Sequence, residues 1–195
     1  DKKFIPTALF AKPMMLSYLS HLQCSGCGRE YTHTEIHTFC LDCQSPLLAI
    51  YDLEHARQHV DREEISRRRK GMWRWSELLP VLNVENQIFL GEGDTPLLAL
   101  PHLEKELGLS HLYVKDESSN PTGSFKARGL AAAVSKAKEL GVEKVIIPTA
   151  GNAGGAMAAY AARAGLKAYI FMPKDTPFAN IQESRMAGAE VVLVD

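Results

Sequence analysis

The strongest periodic signal lies in the second half of the chain. There, short apolar runs alternate with longer segments whose apolar residues recur every three or four positions. Residues 111–115, 144–147, 167–172 and 190–194 read as strands, being short, apolar and bounded by turn residues. Residues 125–140 read as a helix, with Ser124 as N-cap and Gly141 just past its end. Residues 153–164 form an alanine-rich helical segment ended by Gly165, and 177–187 a third helix ended by Gly188. Strands alternating with helices of ten or more residues predict βαβ units and a parallel sheet, hence an α/β fold. A parallel sheet needs cover on both faces. Because the sequence ends directly after a strand, we expect it to be the N-terminal part of a longer protein.

The first half has a different texture. Residues 1–21 read as an extension. Phe4, Ile5, Leu9, Phe10 and Leu16 are apolar, but Lys12 and Pro13 interrupt them, so no signal peptide is read there. Met14 or Met15 could be an internal start, leaving residues 1–13 as an added segment. Residues 22–48 form a small cysteine-containing module. Residues 49–90 are a charged, partly helical linker, helical within 52–79 and stopped at Pro80. From Gly91 to 195 runs the α/β part.

Composition adds exclusions. An apolar fraction of 46% with 23% charged residues is ordinary for a globular chain. A net charge of -1 gives no electrostatic reason for a nucleic-acid or membrane partner, and no apolar run is long enough to span a bilayer. A cytoplasmic location is the expectation.

All four cysteines fall in two C-x-x-C pairs, Cys24/Cys27 and Cys40/Cys43, twelve residues apart. Without a secretory signal this argues for metal rather than disulfides. Two such knuckles supply four thiolates to a tetrahedral, structural zinc ion in a ribbon-like module. Gly28 favours the tight turn after the first pair. His33 and His37 could serve as ligands but read more simply as polar loop residues. The alternative for the cysteines is four reduced thiols in a small core, or a site that has lost its metal. The run Arg67-Arg-Arg-Lys70 is the one basic patch, and residues 54–74 hold seven Lys/Arg against four Asp/Glu. It reads as a solvated helical face or an interface, with Trp73 and Trp75 beside it capping a core.

The chemistry concentrates in two segments. Asn120-Pro-Thr-Gly-Ser-Phe-Lys126-Ala-Arg-Gly129 places a lysine at the start of a helix. A lysine there is disfavoured as an ammonium by the helix macrodipole, which suits an amine that must form a Schiff base. Taken alone it could equally be a surface lysine, as Lys136, Lys138 and Lys144 read. The second segment, Thr149-Ala-Gly-Asn-Ala-Gly-Gly155, is a glycine-rich turn between strand and helix. Amides at such a helix start suit a carboxylate or phosphate, and Asn152 can hydrogen-bond a ring hydroxyl or a carboxylate. The turn is not G-x-G-x-x-G, so a dinucleotide site is not expected. The strands ending near Lys115 and at Pro148 are expected to place both segments beyond the sheet's carboxyl edge, where open α/β sheets bind ligands.

These two segments, with Gly91-Glu-Gly-Asp-Thr-Pro96, Lys115-Asp-Glu117, residues 158–165 and 172–177 in the same order, resemble the fold-type II pyridoxal-phosphate (PLP) enzymes, and the threonine synthase family most closely. The similarity spans about residues 22–195 and includes the cysteine module that some members carry. The resemblance implies that Lys126 holds PLP as a Schiff base. It implies that Phe125 packs beside the cofactor, that Asn152 contacts the ring 3-hydroxyl, and that Thr149, Ala150, Gly151, Asn152, Ala153 and Gly154 bind the substrate carboxylate. It further implies a small amino-acid substrate, O-phospho-L-homoserine converted to L-threonine, and a homodimer. One departure is Ala153, where many threonine synthases carry a hydroxyl residue. That departure motivates a second reading, a PLP-dependent ammonia-lyase or dehydratase acting on a hydroxy-amino acid. A third, of another class, is a non-catalytic zinc-ribbon binding protein.

Overall fold

The computed structural model describes residues 17–195. The expectations for residues 1–16, including the internal start, lie outside the described residues. The chain opens with a three-stranded antiparallel sheet, β1 (Leu19–Cys24), β2 (Glu30–Tyr31) and β3 (Leu47–Tyr51), in the order β2-β1-β3. This sheet runs from Leu19 to Tyr51 and encloses the four cysteines. Two short helices follow, α1 (Leu53–His59) and α2 (Arg62–Arg67). Each is started by an aspartate that accepts from a first-turn amide: Asp52 from His55 N and Asp61 from Glu63 N. Met72–Leu78 is a 3-10 turn rather than α-helix.

The next sheet departs from the sequence expectation. β4 (Leu97–Ala99) pairs antiparallel with β5 (Tyr113–Lys115), across α3 (Pro101–Leu107). The strand predicted at 111–115 is thus neither parallel nor part of the main sheet. It starts two residues late because His111 adopts φ 60, a left-handed conformation that ends pairing. Apolar run length cannot specify a pairing partner, which is why the sequence could not give this arrangement.

The main sheet is parallel, in the order β6-β7-β8: β6 (Lys144–Pro148), β7 (Lys167–Pro173) and β8 (Glu190–Val194). α4 (Lys126–Glu139) leads into β6, α5 (Asn152–Ala164) joins β6 to β7, and α6 (Phe178–Met186) joins β7 to β8. β7 alternates strictly: Ala168, Ile170 and Met172 are buried beneath α5, while Tyr169 and Phe171 point to the other face and are half-buried. On that other face Ile146, opposite Tyr169, is 65% exposed.

α5 is the hub, packing on α4, α6 and β7. Its small residues permit this: Gly154, Gly155, Ala156, Ala158 and Ala161 are buried, so neighbouring backbones approach closely. A Cβ on Gly154 would lie 2.7 Å from Met172 Cε and 3.0 Å from Ile170 Cγ2. The core joins Ala127, Ala131 and Val134 of α4 to Met157, Tyr160 and Ala161 of α5 and to Ile170 and Met172 of β7. α4 also anchors the preceding segment: Ser135 Oγ accepts from Ile88 N, and Glu139 accepts from Leu82 N and Asn83 N. Lys136 pairs with Glu139 at 2.8 Å and is largely covered, unlike the solvated lysine expected there.

Candidate active site and metal centre

The lysine turn is held in an unusual backbone conformation. Thr122 and Gly123 both adopt positive φ, 62 and 65. Gly123 tolerates this; Thr122 is strained by it. The turn is closed by Gly123 N donating to Asn120 O. Ser124 is extended, and its hydroxyl accepts from Lys126 N at 3.3 Å, the capping role expected for it. Lys126 therefore enters α4 in its first turn. Its ammonium lies 4.4 Å from the centre of the Phe125 ring, and Phe125 is 58% exposed.

A half-buried polar network fixes that turn. Glu117 is gripped by Arg128 through Nε (2.6 Å) and Nη2 (2.8 Å), and also accepts from Thr95 Oγ1 and Asn120 Nδ2. These donors, the Arg128 bonds above all, hold the Glu117 carboxyl down to about 2. Asn120 in turn accepts from Gly93 N. Glu92 is fully buried. Its Oε2 accepts from Tyr160 Oη at 2.7 Å and from Leu90 N at 3.0 Å, while Oε1 has no protein partner. Burial, reinforced by Glu92, pushes the Tyr160 hydroxyl well above its ordinary value. The pair joins the 91–96 segment to α5. Sequence reasoning missed Glu92, Glu117, Arg128 and Tyr160. The available signal was an acid between two glycines, Gly91-Glu-Gly93, a setting that suits a packed turn better than a solvated side chain.

The second segment lies as expected between β6 and α5. Thr149 N donates to Phe171 O, and Gly151 N to Thr149 Oγ1. α5 starts after Gly151, which has no side chain to cap it, so the first-turn amides of Asn152 and Ala153 are open to an external acceptor. Asn152 and Ala150 are exposed, Thr149, Gly151 and Ala153 half-buried, and Gly154 buried. Asn180 Nδ2 steadies the loop by donating to Ala150 O. On the buried side, the Glu183 carboxylate sits where a Cβ on Gly155 would come within 2.3–2.5 Å of it. The structure brings the lysine turn and this loop's helix together, because α5 packs directly on the 121–123 turn.

These features fit PLP. A lysine sits at a fixed, strained turn with an exposed aromatic ring beside it, and an uncapped helix start lies on the adjoining element.

The four cysteines converge. Cys24, Cys27, Cys40 and Cys43 place their sulfurs within 4.8 Å of one another, with Cys24–Cys43 at 3.3 Å and Cys27–Cys40 at 3.5 Å. A tetrahedral zinc with ~2.3 Å bonds needs sulfurs ~3.8 Å apart, so adjustments of up to about 1 Å suffice. The two knuckles repeat one geometry. Gly28 N bonds to Cys24 O and Gln44 N to Cys40 O, and both closing residues have positive φ, 77 and 58. Gly26 N and Cys27 N point at Cys24 Sγ. The Tyr31 hydroxyl donates to Cys40 Sγ at 3.2 Å and, with lesser backbone help, lowers that thiol to about 6. His33 and His37 are not in the cluster.

A family profile described as "Pyridoxal-phosphate dependent enzyme" matches residues 88–195. The chain belongs to that pyridoxal-phosphate dependent enzyme family. Among its relatives, the threonine synthase of Methanocaldococcus jannaschii is 41% identical over 173 residues, covering 88% of this chain and 42% of that protein. Among solved structures, a PLP-dependent aspartate racemase is 34% identical with a TM-score of 0.50, covering 52% of this chain and 32% of the racemase. The diaminopropionate ammonia lyase of Escherichia coli is 27% identical with a TM-score of 0.51, covering 56% and 35%. The chain thus spans less than half the length of the curated relative it matches. Among the described residues, no helix is long and apolar enough to cross a membrane.

Proposed function

We propose that the whole protein is a PLP-dependent lyase of the threonine synthase type, converting O-phospho-L-homoserine and water to L-threonine and phosphate. The carrying observation is the extent of the likeness. The threonine synthase match covers 88% of the chain and so must run into the cysteine module. The racemase and ammonia lyase structures cover little more than half.

In this reading Lys126 anchors the cofactor and, once displaced by substrate, accepts the α-proton on Nζ. Bound PLP supplies the electron sink that makes this proton removable. Phe125 packs beside the ring, and Asn152 hydrogen-bonds the 3-hydroxyl. Residues 149–154 bind the substrate carboxylate through the open amides of α5. Lys126 or its partners then remove a β-proton as phosphate leaves the γ-carbon, the γ-carbon is protonated to a methyl, water adds at the β-carbon, and the α-proton is returned. The strained 120–124 turn and the Glu117–Arg128 pair keep Lys126 in place. Cys24, Cys27, Cys40 and Cys43 hold a structural zinc remote from the chemistry. The remaining cofactor contacts, and a homodimer interface, belong to a chain of the relatives' length.

The test uses a protein of that length, loaded with PLP and given O-phosphohomoserine. Threonine and phosphate in equal amounts are expected, and Lys126→Ala should abolish both. Ammonia and a keto acid in their place would move the assignment to an ammonia-lyase.

A further inference from the structure

The basic run that the catalytic reading leaves unused lines a cavity of about 350 Å³, bounded by Arg68, Arg69, Lys70, Trp73, Arg74 and Phe89. Two of its cations are already neutralised. Arg68 makes two bonds to Glu77 (2.6 and 2.8 Å) and one to Glu64. Arg74 pairs with Asp94 at 3.2 Å. The other two have no acid among the described residues: Arg69 places its guanidinium carbon over the Phe89 ring, 4.8 Å from the ring centre, and Lys70 is exposed beside it. Trp73 uses its indole nitrogen on Ile88 O, so its ring is a purely apolar wall. The cavity therefore offers two unmatched positive charges at its rim and two aromatic surfaces within. Its volume is in the range that holds small ligands.

We propose that this cavity is a binding site for a small phosphate monoester carrying an aromatic ring. Two unpaired cations match a phosphate dianion better than a carboxylate monoanion, and guanidinium and ammonium together are the usual donors to phosphate. The ring takes the wall formed by Trp73 and Phe89. Arg74 stands between this cavity and the lysine turn: Asp94, its partner, also accepts from Gly71 N, and the adjacent Gly93 N donates to Asn120. The proposal concerns binding and is independent of the reaction assigned above.

Calorimetric titration of the full-length, PLP-loaded protein tests it, with phenyl phosphate as probe and inorganic phosphate, benzoate and phenol as comparisons. Phenyl phosphate should bind at least tenfold tighter than each of the three. Its affinity should fall steeply between 50 and 300 mM salt, as an ion-driven contact requires. Arg69→Ala and Lys70→Ala, both exposed positions, should each weaken binding about tenfold, while Lys105→Ala on α3 should leave it unchanged. Heat that persists undiminished in both rim variants would place the ligand elsewhere and overturn the site. Equal binding of inorganic phosphate would overturn the ring half of the assignment, and no binding of any probe would overturn it all.

Discussion

At Glu117, two nitrogens of Arg128, the Thr95 hydroxyl and the Asn120 amide all favour the charged carboxylate. Its folded value of about 2 lies below the unfolded ~4.3 of a glutamate. A depressed acid contributes stability that is fully present above the unfolded value and is lost as pH falls through the folded one. Stability should therefore decline between about pH 4.3 and 2, and Glu117→Gln should flatten the slope in that window; urea melts across the range measure it. A parallel slope in the variant would show that the ion pair does not contribute. Gly154→Ala tests packing at the same scale. Its new methyl meets Met172, Ile170 and Thr149, and overpacking of this kind costs about 1–3 kcal/mol, read as a lower denaturation midpoint. Placement at this scale was legible where a motif carried it: Lys126 does open α4, and the 149–155 turn does lie between β6 and α5. Glu92 and Arg128 were not legible, because a charged residue ordinarily faces water and only its partners across the fold reveal otherwise.

Among the elements, the helices were the most readable. The segment predicted at 125–140 forms α4 over Lys126–Glu139, and Gly141, Gly165 and Gly188 close their helices with positive φ. Strand existence was readable and strand pairing was not, as the antiparallel β4–β5 pair shows. The cysteine cluster was readable from spacing, yet the sheet around it was not, since β1 and β3 meet across 23 or more positions. This small sheet has little core of its own, so zinc should decide its stability. One equivalent of zinc per chain is the expected metal content. Chelation, or Cys27→Ser, should unfold residues 19–51 while α4, α5 and α6 remain protected from hydrogen exchange. Full protection throughout after metal removal would count against a structural zinc.

For the whole molecule, the Glu92–Tyr160 bond matters most, since it ties partners 68 positions apart. Tyr160→Phe leaves a fully buried carboxylate with one fewer donor, a loss of about 1–3 kcal/mol. The urea midpoint should drop with an unchanged slope, because the same surface is exposed on unfolding. A shallower slope would mean instead that the 91–96 segment had detached before the sheet unfolds.

The surroundings of Gly154 and Gly155 have an evolutionary consequence. A methyl at 155 would meet only the end of the Glu183 side chain, which is flexible and half-buried and can swing aside. A methyl at 154 would meet Met172, Ile170 and Thr149 together, and packed side chains of that kind yield less readily. Across homologues, alanine should therefore be found at the position of Gly155 more often than at that of Gly154, without a paired change at 183.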